Sequence, residues 1–190
     1  MYRQLFQRLW QVLRFPAPFW ASVAEVGDDK KTYQTEYFYP LAGMAALTAF
    51  ISAFFDGDLT FKQQLTEGVQ LFVLSFGSVF LGLFLSAWIL DKLFVRFIGT
   101  PADYKKAEIL VAYTLTPVLV VSILTRLFSE LWFLKVLFLY VFVIAWEAAT
   151  HFYKVQPKQQ GYFTLYCGAV VLLAPQLVEF ILVRLLPGLN

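Results

Sequence analysis

The chain carries few groups suited to catalysis. Its 190 residues include one His and one Cys. That is too few for a His/Cys metal centre and a thin inventory for catalysis. No Gly-x-Ser-x-Gly, His-Glu-x-x-His or Walker-type glycine loop occurs. Glu147 and His151 stand four apart, a spacing that shares one helix face, but two ligands make a poor metal site and a solvated pair is expected. Cys167 lies in an apolar stretch, where a thiol is inert. The expectation is therefore no catalytic residue, no metal and no cofactor. One carboxylate stands out. Glu179 follows Pro175 by four residues inside an apolar run. An ionised carboxylate at the centre of a membrane helix costs ~2.5–3.5 kcal/mol on insertion scales, so such a group pairs internally or marks a site. The competing reading is a carboxylate near the interface, protonated or hydrogen-bonded across helices, since Arg184 follows five residues later. Pro117 and Pro175 each free a backbone carbonyl one turn earlier. Thr114 and Thr116 lie next to Pro117 and offer such a carbonyl a partner. Tyr113, Pro117, Pro175, Gln176 and Glu179 form the candidate intramembrane constellation, which would suit a carrier for a small solute or ion.

The elements that must position these residues follow from composition. Hydrophobic residues make up 59% of the chain and charged residues 15%, with 21 Phe; mean hydropathy is +0.65. A soluble domain of this size cannot hide so much apolar surface, and a disordered chain would show the opposite bias. The net charge of +2 gives no nucleic-acid footprint. The pattern predicts an all-α polytopic membrane protein. Its five spans are expected at residues 37–55, 69–90, 109–125, 131–146 and 162–183, preceded by an interfacial segment over 1–36. Thr60-Phe61-Lys62-Gln63 reads as a capping box ahead of the second span. Thr100-Pro101-Ala102-Asp103 reads as a helix start with Thr100 as N-cap. Ser78, Gly82 and Ser86, and likewise Ala45, Ala49 and Ala53, form small-residue seams for close helix packing. Pro117/Arg126 and Pro175/Arg184 share a nine-residue spacing, a weak sign of a parallel repeat.

Lys and Arg in the loops set the orientation. Eleven of the 15 fall on the side of the N-terminus, which predicts a cytoplasmic N-terminus and an external C-terminus. The first residues are no signal peptide, because they lack an uninterrupted apolar run. Tyr2, Leu5, Phe6, Leu9, Trp10 and Leu13 instead recur at helical spacing, with Arg3, Arg8 and Arg14 on the other face. Such a helix either lies among lipid headgroups or packs on the ends of the spans, and the two are compatible. A second short helix, residues 18–26, would end at Gly27. The expected working surface is Arg3, Arg8, Trp10, Arg14, Trp20, Lys105 and Lys106.

Three stretches together resemble the Yip family of small multi-pass membrane proteins in its bacterial form. They are Phe15-Pro16-Ala17-Pro18-Phe19-Trp20-Ala21-Ser22-Val23, Tyr39-Pro40-Leu41-Ala42-Gly43 and Ala112-Tyr113-Thr114-Leu115-Thr116-Pro117. The resemblance covers nearly the whole chain. It implies a five-helix bundle without known catalysis in a bacterial inner membrane. Eukaryotic relatives act in vesicle traffic and contact Rab-type GTPases through a longer cytosolic arm than the 36 residues before Tyr37 here. The leading reading is a non-enzymatic membrane organiser whose partners are the bilayer, anionic headgroups, and a membrane protein or second copy. The alternative is the solute or ion carrier built around Glu179. A third reading is a subunit that stabilises a larger complex.

Overall fold

The computed structural model describes residues 2–55 and 60–185, with the side chain of Tyr2 outside that set. Every regular element among the described residues is helical. Two short helices, α1 (Tyr2–Arg14) and α2 (Pro16–Val26), precede five long apolar ones. These are α3 (Lys31–Phe55), α4 (Phe61–Ile98), α5 (Tyr104–Leu127), α6 (Ser129–Phe152) and α7 (Gln160–Leu185). Each of the five is long and apolar enough to cross a bilayer. The chain is an integral membrane protein in contact with lipid.

The helices run beyond the apolar windows that mark them, because a helix satisfies its own backbone whether lipid or water surrounds it. α4 shows this most clearly. It starts at the Thr60 box, where Gln63 Oε1 accepts from the Thr60 backbone N–H at 2.9 Å and from its hydroxyl at 2.7 Å. Its 38 residues would reach about 57 Å at ~1.5 Å per residue, well past a hydrocarbon core of ~30 Å. The start of α5 differs from the expected one. Asp103, not Thr100, is the N-cap; its side chain accepts from the Lys106 N–H at 2.9 Å. The reason lies in α4: Asp91 Oδ1 takes the Asp103 N–H at 2.8 Å and keeps the residues before Tyr104 out of the helix. Gly27 and Gly99 end α2 and α4 at φ 75° and 78°, where a side chain would strain the backbone.

α4 is the central post, packed against α3, α5 and α7, while α6 packs on α5 and α7. The small-residue seams lie at these crossings. A Cβ on Gly82 would sit 2.9 Å from Pro175 Cα, so the α4–α7 contact exists only because residue 82 has no side chain. Backbone cannot step aside as a flexible side chain can. Gly82→Leu should therefore destabilise the bundle by about 3 kcal/mol, the upper range for overpacking, in thermal unfolding of the purified protein. Gly77→Leu is the comparison, since its near neighbour is only the end of the Leu182 side chain, at 3.1 Å.

The two prolines act differently. Pro117 opens a new helical segment after Leu115, so α5 is broken there, whereas α7 continues through Pro175. Arg126 turns into the bundle to reach the Ala45 carbonyl, while Arg184 stacks on Phe180 at 4.2 Å. The shared spacing thus does not correspond to a shared local structure.

Candidate functional site

α1 and α2 form a hairpin seated in the end of the bundle where the cationic residues gather. Leu5 and Val12 are buried, with Leu9 and Leu13 packed against the core. The Leu13 carbonyl accepts from Tyr140 Oη at 2.8 Å, at the point where α6 changes from a 3-10 to an α helix. The hairpin therefore reaches in along the spans and does not merely rest on their tips. α2 supplies the wedge. Trp20 is wholly buried and donates from Nε1 to the Ile144 carbonyl at 3.1 Å. Phe19, Trp20 and Tyr37 surround the Tyr113 ring at centroid distances of 4.7, 5.9 and 4.8 Å. Phe152 stacks on Trp20 at 5.0 Å.

A polar clamp closes the hairpin. Arg8 Nη1 pairs with Asp28 Oδ2 at 2.9 Å. Tyr113 donates its hydroxyl hydrogen to the same carboxylate oxygen and accepts from Arg8. Burial opposes the Arg8 charge, but Tyr113 and Asp28 outweigh it and hold its proton more firmly than in water. α1, α5 and the loop after α2 are thereby joined at one point. Three widened π-helical stretches, Lys31–Phe38, Phe94–Ile98 and Ala148–Phe152, lie at this end of their helices. They carry Tyr37, Phe94 and Phe152 into the aromatic clusters. Widened turns of this kind are frequent at functional sites.

The outer side of the hairpin is apolar and cationic. Phe6 and Trp10 are 57% and 55% exposed, and Phe15 is also exposed. The Arg14 guanidinium lies 5.0 Å from the Trp10 ring, and Arg3 shares an open surface hollow with Phe6 and Trp10. Beside the hairpin, a cavity of about 380 Å³ is lined by Gly27, Asp28, Asp103, Lys105, Lys106 and Lys154 among others. Lys106 Nζ sits over the Phe152 and Tyr153 rings at 5.0 and 4.6 Å, and burial pushes the Tyr153 phenol up so that it stays neutral. Among the described residues no cluster of His, Cys, Asp and Glu has the makings of a metal site.

Four of the seven surface candidates, Arg3, Trp10, Arg14 and Lys105, are outward-facing, and Lys106 is half-buried over its two rings. Two need correction. Trp20 is a core residue, because α2 wedges between spans instead of lying on them. Arg8 leaves the polar face and points inward to Asp28. Leu5 and Val12 bracket it at three and four residues, and that spacing is the signal for its direction. The intramembrane candidates divide. Pro175, Gln176 and Glu179 share one groove at the far end with Arg126, whereas Tyr113 belongs to the clamp and Pro117 is buried beside it in α5. Three buried acids, Asp28, Asp91 and Glu108, escaped sequence reasoning. Asp28 lies in the loop after α2, where no local pattern marks it as buried. Glu108, 1% exposed and bonded by Gln34, sits one residue before the expected third span. Its helical register with Ala112 and Leu115 places it on the buried face.

Comparison with curated proteins and with solved structures finds no match for this chain. A family model described as the Yip1 domain matches residues 10–178. That match begins within α1 after Arg8, takes in Asp28, Tyr113, the first four spans and most of the fifth, and stops one residue short of Glu179, and the chain belongs to the Yip1 family.

Proposed function

We propose that the protein is a non-enzymatic organiser of a bacterial cytoplasmic membrane, with its N-terminus on the cytoplasmic side, and that α1 reads anionic lipid there. The observation that carries this is the clamp. By fixing the inner face of α1 through Arg8, Asp28 and Tyr113, it commits Phe6 and Trp10 to the outside, with Arg3 and Arg14 alongside. An apolar aromatic ridge rimmed by cations is the pattern of a helix seated at the headgroup boundary of an anionic leaflet. The cation bias of the loops supports the orientation. The carrier reading is weaker, because Tyr113 is engaged in the clamp and is not in the groove that holds Glu179.

The test uses the full chain in vesicles containing brominated lipid, a contact quencher of tryptophan. The difference between the protein and Trp10→Phe isolates the Trp10 signal from the other four Trp. Trp10 should be quenched, and more deeply when the vesicles contain phosphatidylglycerol than when they are purely zwitterionic. A Trp10 signal that brominated lipid leaves untouched in both compositions refutes the lipid contact.

A further inference from the structure

At the end opposite the clamp, all five long helices contribute to a groove of about 340 Å³. Helix direction orders its lining. Leu115, Leu119 and Val171 form the floor, and Arg126, Lys135 and Glu179 stand toward the mouth. Arg126 Nη1 donates to the Ala45 carbonyl at 2.9 Å and to Ser75 Oγ at 2.7 Å. Those bonds fix the guanidinium but use only one nitrogen, leaving the Nη2 and Nε donors free of any partner among the described residues. Glu179 lines the same groove as Arg126. Yet among the described residues neither Arg126, Lys135 nor Glu179 makes an ion pair within 4.0 Å. Two cations and a carboxylate thus stand apart, above an apolar floor, at the depth where a span approaches its interface. The wall carrying Lys135, Ser129–Leu139, is a 3-10 helix without a buried residue, and so offers the loosest side of the groove for entry from lipid.

We propose that this groove binds a phospholipid headgroup bearing both a phosphate and a primary amine, of the phosphatidylethanolamine type. The phosphate lies against Arg126 and Lys135, where an Arg fork suits it. The ammonium donates to Glu179, and the start of the acyl region covers the apolar floor. A phosphatidylglycerol headgroup offers Glu179 hydroxyl donors but no cation to offset its charge beside the phosphate. A choline headgroup has the charge but no N–H to donate.

The experiment is native mass spectrometry of the detergent-purified full chain, offered phosphatidylethanolamine, phosphatidylcholine and phosphatidylglycerol with identical tails. The chain should retain the ethanolamine lipid about tenfold over the other two, the ratio expected when one charge-assisted hydrogen bond decides the choice. Glu179→Gln, at an exposed position, should abolish that preference and favour phosphatidylglycerol. Lys135→Gln should weaken retention of all three lipids. Lys62→Gln, a cation at the same end but outside the groove, should change nothing. Equal retention by the unaltered chain, a preference that survives Glu179→Gln, or an equal loss in Lys62→Gln overturns the proposal. Glycerophosphoethanolamine, the same headgroup without tails, should fail to compete; competition at equal concentration would make the ligand a soluble zwitterion and refute the lipid assignment.

Discussion

Replacing Asp28 with alanine should destabilise the protein by about 3–5 kcal/mol, the cost of breaking a buried ion pair by removing one partner. A surface pair would cost no more than ~1 kcal/mol, so the position of the clamp decides the size of the effect. The Asp28 side chain is 5% exposed and that of Arg8 32%. Loss of the carboxylate strands the Arg8 cation against an aromatic wall and takes away the acceptor of the Tyr113 hydroxyl. The same loss frees α1, whose hold otherwise consists of a few apolar contacts and the Tyr140–Leu13 bond. Two measurements should therefore move together. The unfolding midpoint falls, and trypsin gains access to Arg8 and Arg14 in the native state. Removing Arg8 together with Asp28 should cost less than the sum of the single changes, because the double variant leaves no stranded charge. Unchanged cleavage in Asp28→Ala would mean that α1 is held by other contacts and would remove the support for a fixed outward Trp10.

The clamp also shows where sequence reading stops. Five spans were legible because ~20-residue apolar runs have one physical use. The Thr60 box and the Gly27 stop were legible because caps are local chemistry between residues a few positions apart. Arg8, Asp28 and Tyr113 are separated by 20 and 85 residues. No local rule ties them together; only the docking of α1 and α2 between the spans does. The same is true of Trp20, whose partner Ile144 lies 124 residues away. An aromatic beside two prolines at the membrane edge reads as an interfacial anchor, and nothing local distinguishes an anchor from a wedge. Glu179 presents the reverse situation. Its type and its place in an apolar run were visible at once, but not that it shares a groove with Arg126, 53 positions earlier.

A second variant tests whether α2 is a wedge. Trp20→Ala should cost about 3–5 kcal/mol, as large aromatic deletions from packed cores do. The indole is wholly buried, stacks on Phe152, and stands edge-on to Phe19 and Tyr113. Truncation opens a cavity between α2, α5 and α6 that backbone held by the clamp cannot collapse to fill. Trp20→Phe separates packing from hydrogen bonding. It keeps a ring in the box and loses the donation to the Ile144 carbonyl. That carbonyl also accepts the Ala148 N–H, so it keeps one partner and the loss should stay near 1 kcal/mol. The order of stability is then the unaltered chain, Trp20→Phe, and Trp20→Ala, measured by thermal unfolding. Backbone hydrogen exchange should rise in α2 and around Ala148–Phe152, the stretch against which α2 packs. A small cost for Trp20→Ala, within 1 kcal/mol of the unaltered chain, would return Trp20 to the membrane surface. Because Trp20 and Asp28 hold opposite sides of one hairpin through Tyr113, their single variants should not add. Once either anchor is lost, the other holds a helix pair that already moves, and the double variant should cost less than the two together.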